Sequence, residues 1–351
     1  NASGKSNIIR ALHEFKEYIR NSTDNKPNDT IKLFCPFKLN KENLLKPSCF
    51  SIDILIEKVL YTYSVEVVQK EVVKESLLFY PKGIKVKVFE RIGQKFYKGN
   101  GYEGIFEIVK QRTVDNQLFI SKGAVENVEL AKNIYQIISS MIIFPADLLH
   151  SDRFNKAAHI LLFNDLLEGD QILDLSKSLI QKIDTQVVDF INEEGTIKTF
   201  HLNDKSERVE FDFFDESSGT QRAISFSPLI FMALKAGWII VVDEFERSLH
   251  AEIAQYILGF FNDSEINVNR AQFIFATHDT TLLNPENNLR RDQINLVEKN
   301  LKGETELYTV SDIKGIREGN FEKWYLEGRF GAVPNIARET FRHELIDYLN
   351  S

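Results

Sequence analysis

Apolar residues change their spacing several times along the chain, and each change marks a different kind of element. In residues 4–20, Ile8, Ile9, Leu12, Phe15 and Ile19 recur at helical spacing and predict an amphipathic helix. Residues 21–29 are polar, contain Pro27 and predict a loop. From 50 to about 97 the period falls to two. Ile52, Ile54 and Ile56 alternate, and residues 60–65 resume after Glu57-Lys58, which predicts antiparallel strands with a turn at that pair. Residues 104–179 read as mostly helical, with breaks at Lys122-Gly123 and Phe144-Pro145 and a joint between two helices at 163–173. Strand-like patterning returns at 187–214, and 219–234 is helical again.

Two later runs do not alternate. Trp238-Ile239-Ile240-Val241-Val242 and Gln272-Phe273-Ile274-Phe275-Ala276 have the continuous apolar character of parallel strands covered on both faces. Residues 292–297 and 304–310 predict late strands, and 321–328 and 337–350 predict helices. There is no internal repeat and no heptad run of coiled-coil length. The pattern divides the chain into an N-terminal helix with a β subdomain (1–100), a mainly helical lobe with returning strands (101–215), a central core (216–310) and a C-terminal segment (311–351).

Composition narrows the class. With 351 residues, 43% hydrophobic and 27% charged, the chain can bury a sizeable core. A net charge of −8 gives no global attraction to nucleic acid, although it does not report local patches. Cys35 and Cys49 lack metal-ligand spacing and read as reduced thiols of a cytoplasmic protein. No apolar run approaches the ~20 residues that cross a bilayer.

Four motifs carry chemistry. Asn1-Ala2-Ser3-Gly4-Lys5-Ser6, followed by Asn7, matches the end of the phosphate-binding loop G-x-x-x-x-G-K-[ST]. Backbone N–H groups around Gly4 would wrap phosphates, Lys5 would reach the β- and γ-oxygens, and the Ser6 hydroxyl would ligate Mg²⁺. The motif's first glycine and the strand before it would fall ahead of residue 1, so the native protein is expected to start upstream, and a chain starting at Asn1 to bind ATP poorly. Asp243-Glu244 closes a buried strand, where Asp243 would hold Mg²⁺ through water and Glu244 would polarise an attacking water. The strand before Thr277-His278-Asp279 brings His278 to the same end of a sheet, as a contact for the γ-phosphate. Glu216-Ser217-Ser218-Gly219-Thr220-Gln221-Arg222 offers hydroxyls, a glycine and a helix N-terminus, which make either an anion site or an ordinary serine cap. Arg222 would brace that loop or touch phosphate.

The order of these motifs, with 238 positions between Lys5 and Asp243, resembles the ATP-binding-cassette heads of the SMC and RecF group with a large insertion. The resemblance implies an α/β fold: an ABC-type P-loop ATPase head with a mixed sheet, an antiparallel β subdomain and a helical lobe, without a long coiled coil. It makes Ser217, Ser218, Gly219 and Arg222 a signature that meets the nucleotide of a second protomer, and places 246–250 as the D-loop. The signature departs from the ABC-transporter pattern in having Ser218-Gly219-Thr220, and no Q-loop glutamine is assigned; Gln117 and Gln136 are unsupported choices. Over nearly the whole chain, segments such as Phe79-Tyr80-Pro81-Lys82-Gly83, Leu289-Arg290-Arg291-Asp292-Gln293-Ile294 and the run 325–336 look like the abortive-infection ATPases of the AbiLii and RloA type. That implies a bacterial anti-phage ATPase using ATP and Mg²⁺. It would form a homodimer or higher homo-oligomer through ATP and control a separately encoded effector, a nuclease or an RloB-like protein. The run 328–336 is expected to serve partner docking or to be a packed C-terminal segment. A RecF-like repair ATPase and a nucleotide-dependent scaffold for a toxin remain open alternatives. A nuclease with an appended Toprim domain is disfavoured, because only 73 residues follow His278.

Overall fold

The computed structural model describes residues 3–146, 170–193, 196–247, 249–316, 319–331 and 338–350. Helix α1 (Lys5–Asn21) opens the chain. Strands β1 (Ser48–Ile56), β2 (Val59–Val67), β3 (Val72–Phe79), β4 (Val86–Ile92) and β5 (Lys95–Lys98) follow as one antiparallel sheet in sequence order. The β1–β2 turn is the expected Glu57-Lys58, and both residues are left-handed, with φ of 48° and 68°. That twist is the one a two-residue hairpin loop requires.

Helices α2 (Phe106–Gln111), α3 (Phe119–Val125) and α4 (Glu129–Ser139) cover this sheet with α1, around a core that includes Phe15, Tyr63, Phe89 and Phe119. Within it lies a buried polar cluster. Glu75 accepts from the backbone N–H groups of Phe119 and Ile120 at 2.7 and 2.9 Å and from the Tyr63 hydroxyl at 3.0 Å. Arg91 donates to the carbonyls of Gln117, Val114 and Asp115 at 2.5, 3.1 and 3.1 Å.

A second layer system holds the motifs. Strands β6 (Ile142–Phe144), β10 (Ile239–Val242) and β11 (Gln272–Phe275) form a parallel sheet in the order β11-β10-β6. Strand alternation divides its two faces. Ile143 and Val241 pack with Ile9 and Leu12 of α1. Phe144, Ile240 and Val242 face the larger core built by α5 (Asp170–Ile183), α6 (Ser218–Ala236) and α7 (Ala251–Asn262). Strands β7 (Asp189–Glu193), β8 (Thr196–Leu202) and β9 (Arg208–Asp212) form an antiparallel sheet against that core. The chain ends with the hairpin β12 (Asn295–Lys299) and β13 (Thr305–Thr309), then α8 (Phe321–Leu326) and α9 (Arg338–Leu349). No described helix is long and apolar enough to cross a membrane.

Two sequence expectations change. Lys122-Gly123 does not break a helix: both residues lie inside α3, and the chain turns at Asn127, where φ is 58°. Gly123 sits where a Cβ would come within 3.0 Å of the Ala131 Cβ, so it permits close packing of α3 on α4. Residues 142–144, read within a helical lobe, are instead a strand of the parallel sheet; three residues are too few to show a period. Helix α7, bounded by polar residues on both sides, has no counterpart among the predicted elements. The expected joint at 163–173 lies mostly outside the described residues, as do residues 332–336 of the C-terminal motif. The described part of that motif is packed locally: Phe330 is buried, its carbonyl accepts from the Tyr308 hydroxyl at 2.6 Å, and Arg329 pairs with Glu327 at 2.7 Å.

Candidate functional site at the end of the parallel sheet

The C-terminal edge of a parallel sheet is where open α/β folds bind ligands. Here the backbone ladder runs one residue past the strands. Asp243 N–H donates to the Phe144 carbonyl at 3.0 Å, and Ala276 N–H to the Val242 carbonyl at 2.9 Å. This sets the carboxylates that follow β10 beside the histidine loop that follows β11. The Phe245 N–H bonds the Ala276 carbonyl at 3.3 Å, and the His278 N–H donates to Glu246 Oε1 at 2.7 Å.

Asp243 is 1% exposed, and its Oδ2 has no hydrogen-bond partner among the described residues. A buried carboxylate oxygen left in this way is costly unless a ligand or water satisfies it. With the Ser6 hydroxyl in the adjoining cleft, the donor chemistry is hard oxygen, the kind that suits Mg²⁺ and its waters. Glu244 sits in a left-handed conformation, φ 49°, which a side-chain-bearing residue adopts at a cost. Its carboxylate accepts from Arg247 Nη1 at 2.9 Å, and its carbonyl accepts from Arg222 Nη2 at 3.3 Å.

Gly4, Lys5, Ser6, Asn7 and His278 line a cleft of about 240 Å³, together with Ser3 and Lys299. Gly4 takes φ 112° immediately before α1, and a side chain there would overlap Thr305. Burial lowers the Lys5 pKa, opposed by the charges of Glu246, Asp243 and Glu244. Burial and then the Lys5 charge lower His278. The P-loop lysine, the acidic turn and the histidine are therefore electrostatically one site. Asn1 and Ala2 lie outside the described residues.

The signature stands apart from this cleft. Ser217 caps α6, accepting from Thr220 N–H at 3.1 Å, while Ser217 and Ser218 remain exposed. Arg222 is buried, stacks over Phe226 at 4.6 Å and reaches Glu244 of its own chain. Burial, followed by the nearby Arg247 charge, lowers its pKa to about 10. Gln117 and Gln136 are not at the site: Gln117 holds the carbonyls of Thr23 and Asn25 at 2.9 Å, and Gln136 is exposed on α4.

Glu246, which the resemblance places at the start of the D-loop, fixes the histidine loop, a contact the motif did not announce. Two further contributors escaped the sequence motifs. Lys299 and Thr305 come from the late hairpin, and nothing in their local sequence distinguishes them from ordinary strand residues.

No curated protein matches the chain. Among solved structures, the SMC head domain from Thermotoga maritima aligns at 13% identity and TM-score 0.40, covering 88% of this chain and 87% of that one. An SmcHead bound to the C-winged helix domain of ScpA aligns at 12% identity and TM-score 0.37 with the same coverages. The profile of the family described as "AAA domain, putative AbiEii toxin, Type IV TA system" matches residues 1–284. The chain, with its phosphate-loop lysine, acidic turn and histidine at one sheet edge, belongs to that family of AAA-domain ATPases.

Proposed function

We propose that this chain binds Mg-ATP in the P-loop cleft and hydrolyses it, and that two protomers close on the nucleotide to control a separately encoded effector. The observation carrying the reading is the convergence of Lys5, Asp243, Glu244 and His278 at one end of the β11-β10-β6 sheet. Lys5 and the backbone around Gly4 bind the β- and γ-phosphates. Ser6 and Asp243 hold Mg²⁺, which supplies charge neutralisation on the phosphate oxygens. Glu244 orients the attacking water and accepts its proton, and His278 fixes the γ-phosphate side of that water. Burial and then the Lys5 charge lower the imidazole pKa, which favours the neutral form that can both donate and accept.

The exposed N-terminus of α6 supports the dimer reading. The Ser217 cap takes the Thr220 N–H, while the N–H groups of Ser218 and Gly219 lack intrahelical partners and favour an anion presented from outside the protomer. Contacts to γ-phosphate that exist only in the closed pair couple closure to ATP. The toxin–antitoxin wording of the family description supports a partner encoded alongside this chain, in keeping with an abortive-infection role against phage and an effector of the nuclease or RloB-like kind.

The decisive experiment is Glu244→Gln. We expect Mg-ATP binding to persist and turnover to fall by at least a hundredfold, of the order that loss of a general base produces. An unchanged hydrolysis rate would remove Glu244 from the reaction, and absence of nucleotide binding by the native protein would remove the site.

A further inference from the structure

Lys299 lines the P-loop cleft but belongs to none of the four motifs. It closes β12, and its cross-strand partner is Thr305 at the start of β13. The Thr305 hydroxyl donates to the Ser3 carbonyl at 3.0 Å. The strand pair that presents Lys299 is therefore keyed to the phosphate loop itself. The turn between the two strands is also tied. The Asn300 side-chain oxygen accepts from the N–H groups of Lys302 and Glu304 at 2.9 and 3.1 Å. Its amide donates to the carboxylates of Glu304 and Glu306 at 2.9 Å each. The nearby acids are engaged with Asn300, and no ion pair to Lys299 forms among the described residues.

Charge balance gives this placement a purpose. Three carboxylates, Glu246, Asp243 and Glu244, already act on Lys5. A triphosphate brings more negative charge than one Mg²⁺ and one lysine neutralise. In a cleft whose near field is this acidic, a second fixed cation decides whether the polyphosphate is attracted or repelled. Strand alternation leaves Glu298 on the other side of β12, next to Gly331 and Tyr308, so it does not cancel the lysine inside the cleft.

We propose that Lys299 is a second phosphate-binding cation, delivered by the late hairpin to the triphosphate chain opposite Lys5. The inference rests on the reading of the cleft as an ATP site. The hairpin then does two jobs: Thr305 sets the loop backbone, and Lys299 completes its charge.

Equilibrium binding of Mg-ATP, Mg-ADP and AMP to the full chain tests it, using unsubstituted protein, Lys299→Met, Lys299→Arg and Lys5→Met over a salt series. We expect Lys299→Met to weaken Mg-ATP about tenfold, the scale of one charge-assisted contact, with AMP affected least. The salt dependence should become shallower, and Lys299→Arg should restore most of the affinity. Thermal unfolding without nucleotide should be unchanged, because the side chain is exposed. Lys299→Met binding Mg-ATP as tightly as the unsubstituted protein, while Lys5→Met loses it, would overturn the role of Lys299 and leave the ATP site standing. Equal weakening of AMP and ATP would overturn the phosphate assignment. No Mg-ATP binding by the unsubstituted native protein would overturn both readings together.

Discussion

Arg222 Nη2 donates to the backbone carbonyl of Glu244 at 3.3 Å, tying the second turn of α6 to the acidic turn after β10. The bond sits where the backbone is least comfortable, since Glu244 has φ 49°. The guanidinium is buried and stacked on Phe226, so it acts as an internal brace between α6 and the acidic turn. Movement of α6 would be felt directly at Glu244. Replacing Arg222 with Met keeps much of the stacking and removes the donor. We expect a loss of about 1.5–3 kcal/mol in urea unfolding, the range for a hydrogen bond from a charged group, and a fall in turnover larger than the fall in ATP affinity. An unshifted urea midpoint would show that the brace contributes nothing.

Gly4 and Thr305 offer a cleaner coupling. A Cβ at residue 4 meets the Thr305 side chain, and φ 112° strains any side-chain-bearing residue there. Gly4→Ala should therefore carry a steric and a conformational cost. Thr305→Ala relieves the first and leaves the second, which is about 1–3 kcal/mol. In a double-mutant cycle, Gly4→Ala should cost at least about 1 kcal/mol less in the Thr305→Ala background. Strict additivity would mean that the hairpin does not press on the phosphate loop.

What could be read ahead of the structure follows from where the information lies. Lys5, Asp243, Glu244 and His278 each follow or open an element with a strong apolar pattern, so local sequence places each at the end of that element, Lys5 at the start of a helix and the others after parallel strands. The hairpin turn at Glu57-Lys58 is equally local. Strand β6 was hidden because three residues between α4 and Pro145 carry no period. Arg222 could be read as a brace or a phosphate contact, but its acceptor, the Glu244 carbonyl, is a product of packing. Thr305 bonds a carbonyl 302 positions away, and no window of sequence carries that information. The C-terminal hairpin is thus half legible: its strands show, its target does not.

Lys5 and His278 make an electrostatic prediction with a definite sign. Burial and then the Lys5 charge hold the imidazole below its ordinary value. Lys5→Met should raise the His278 pKa part of the way back, leaving the burial contribution in place. Imidazole nitrogen shifts followed by NMR across pH 5–8 would measure it. Because the folded value lies below the unfolded value of about 6.5, the unfolded chain binds the proton first. Stability from this group is full above that value and is lost as pH falls through the window beneath it. An imidazole that titrates identically with and without Lys5 would separate the two residues.

The Glu75–Arg91 cluster tests whether the β subdomain folds independently of nucleotide chemistry. Both side chains are fully buried, 3.7 Å apart at closest approach, and each is also saturated by backbone partners. Glu75 holds the two N–H groups that open α3, while Arg91 gathers the carbonyls of the loop before it. The pair thus fixes both sides of one helix start. Removing Glu75 alone, as Glu75→Leu, orphans those N–H groups and leaves Arg91 as an uncompensated buried charge. The expected cost is about 3–5 kcal/mol. Arg91→Met should cost a similar amount for the opposite reason. Joining Glu75→Leu to Arg91→Met removes both charges, so the double variant should lose clearly less than the two single losses combined. Mg-ATP affinity should stay within about twofold in any variant that remains folded, because this core is separate from the one beneath the P-loop cleft. Calorimetry alongside nucleotide titration gives both readouts. Additive losses would mean that the charges act independently, and a large affinity change would mean that the subdomain sets the geometry of α1 and hence of the phosphate loop.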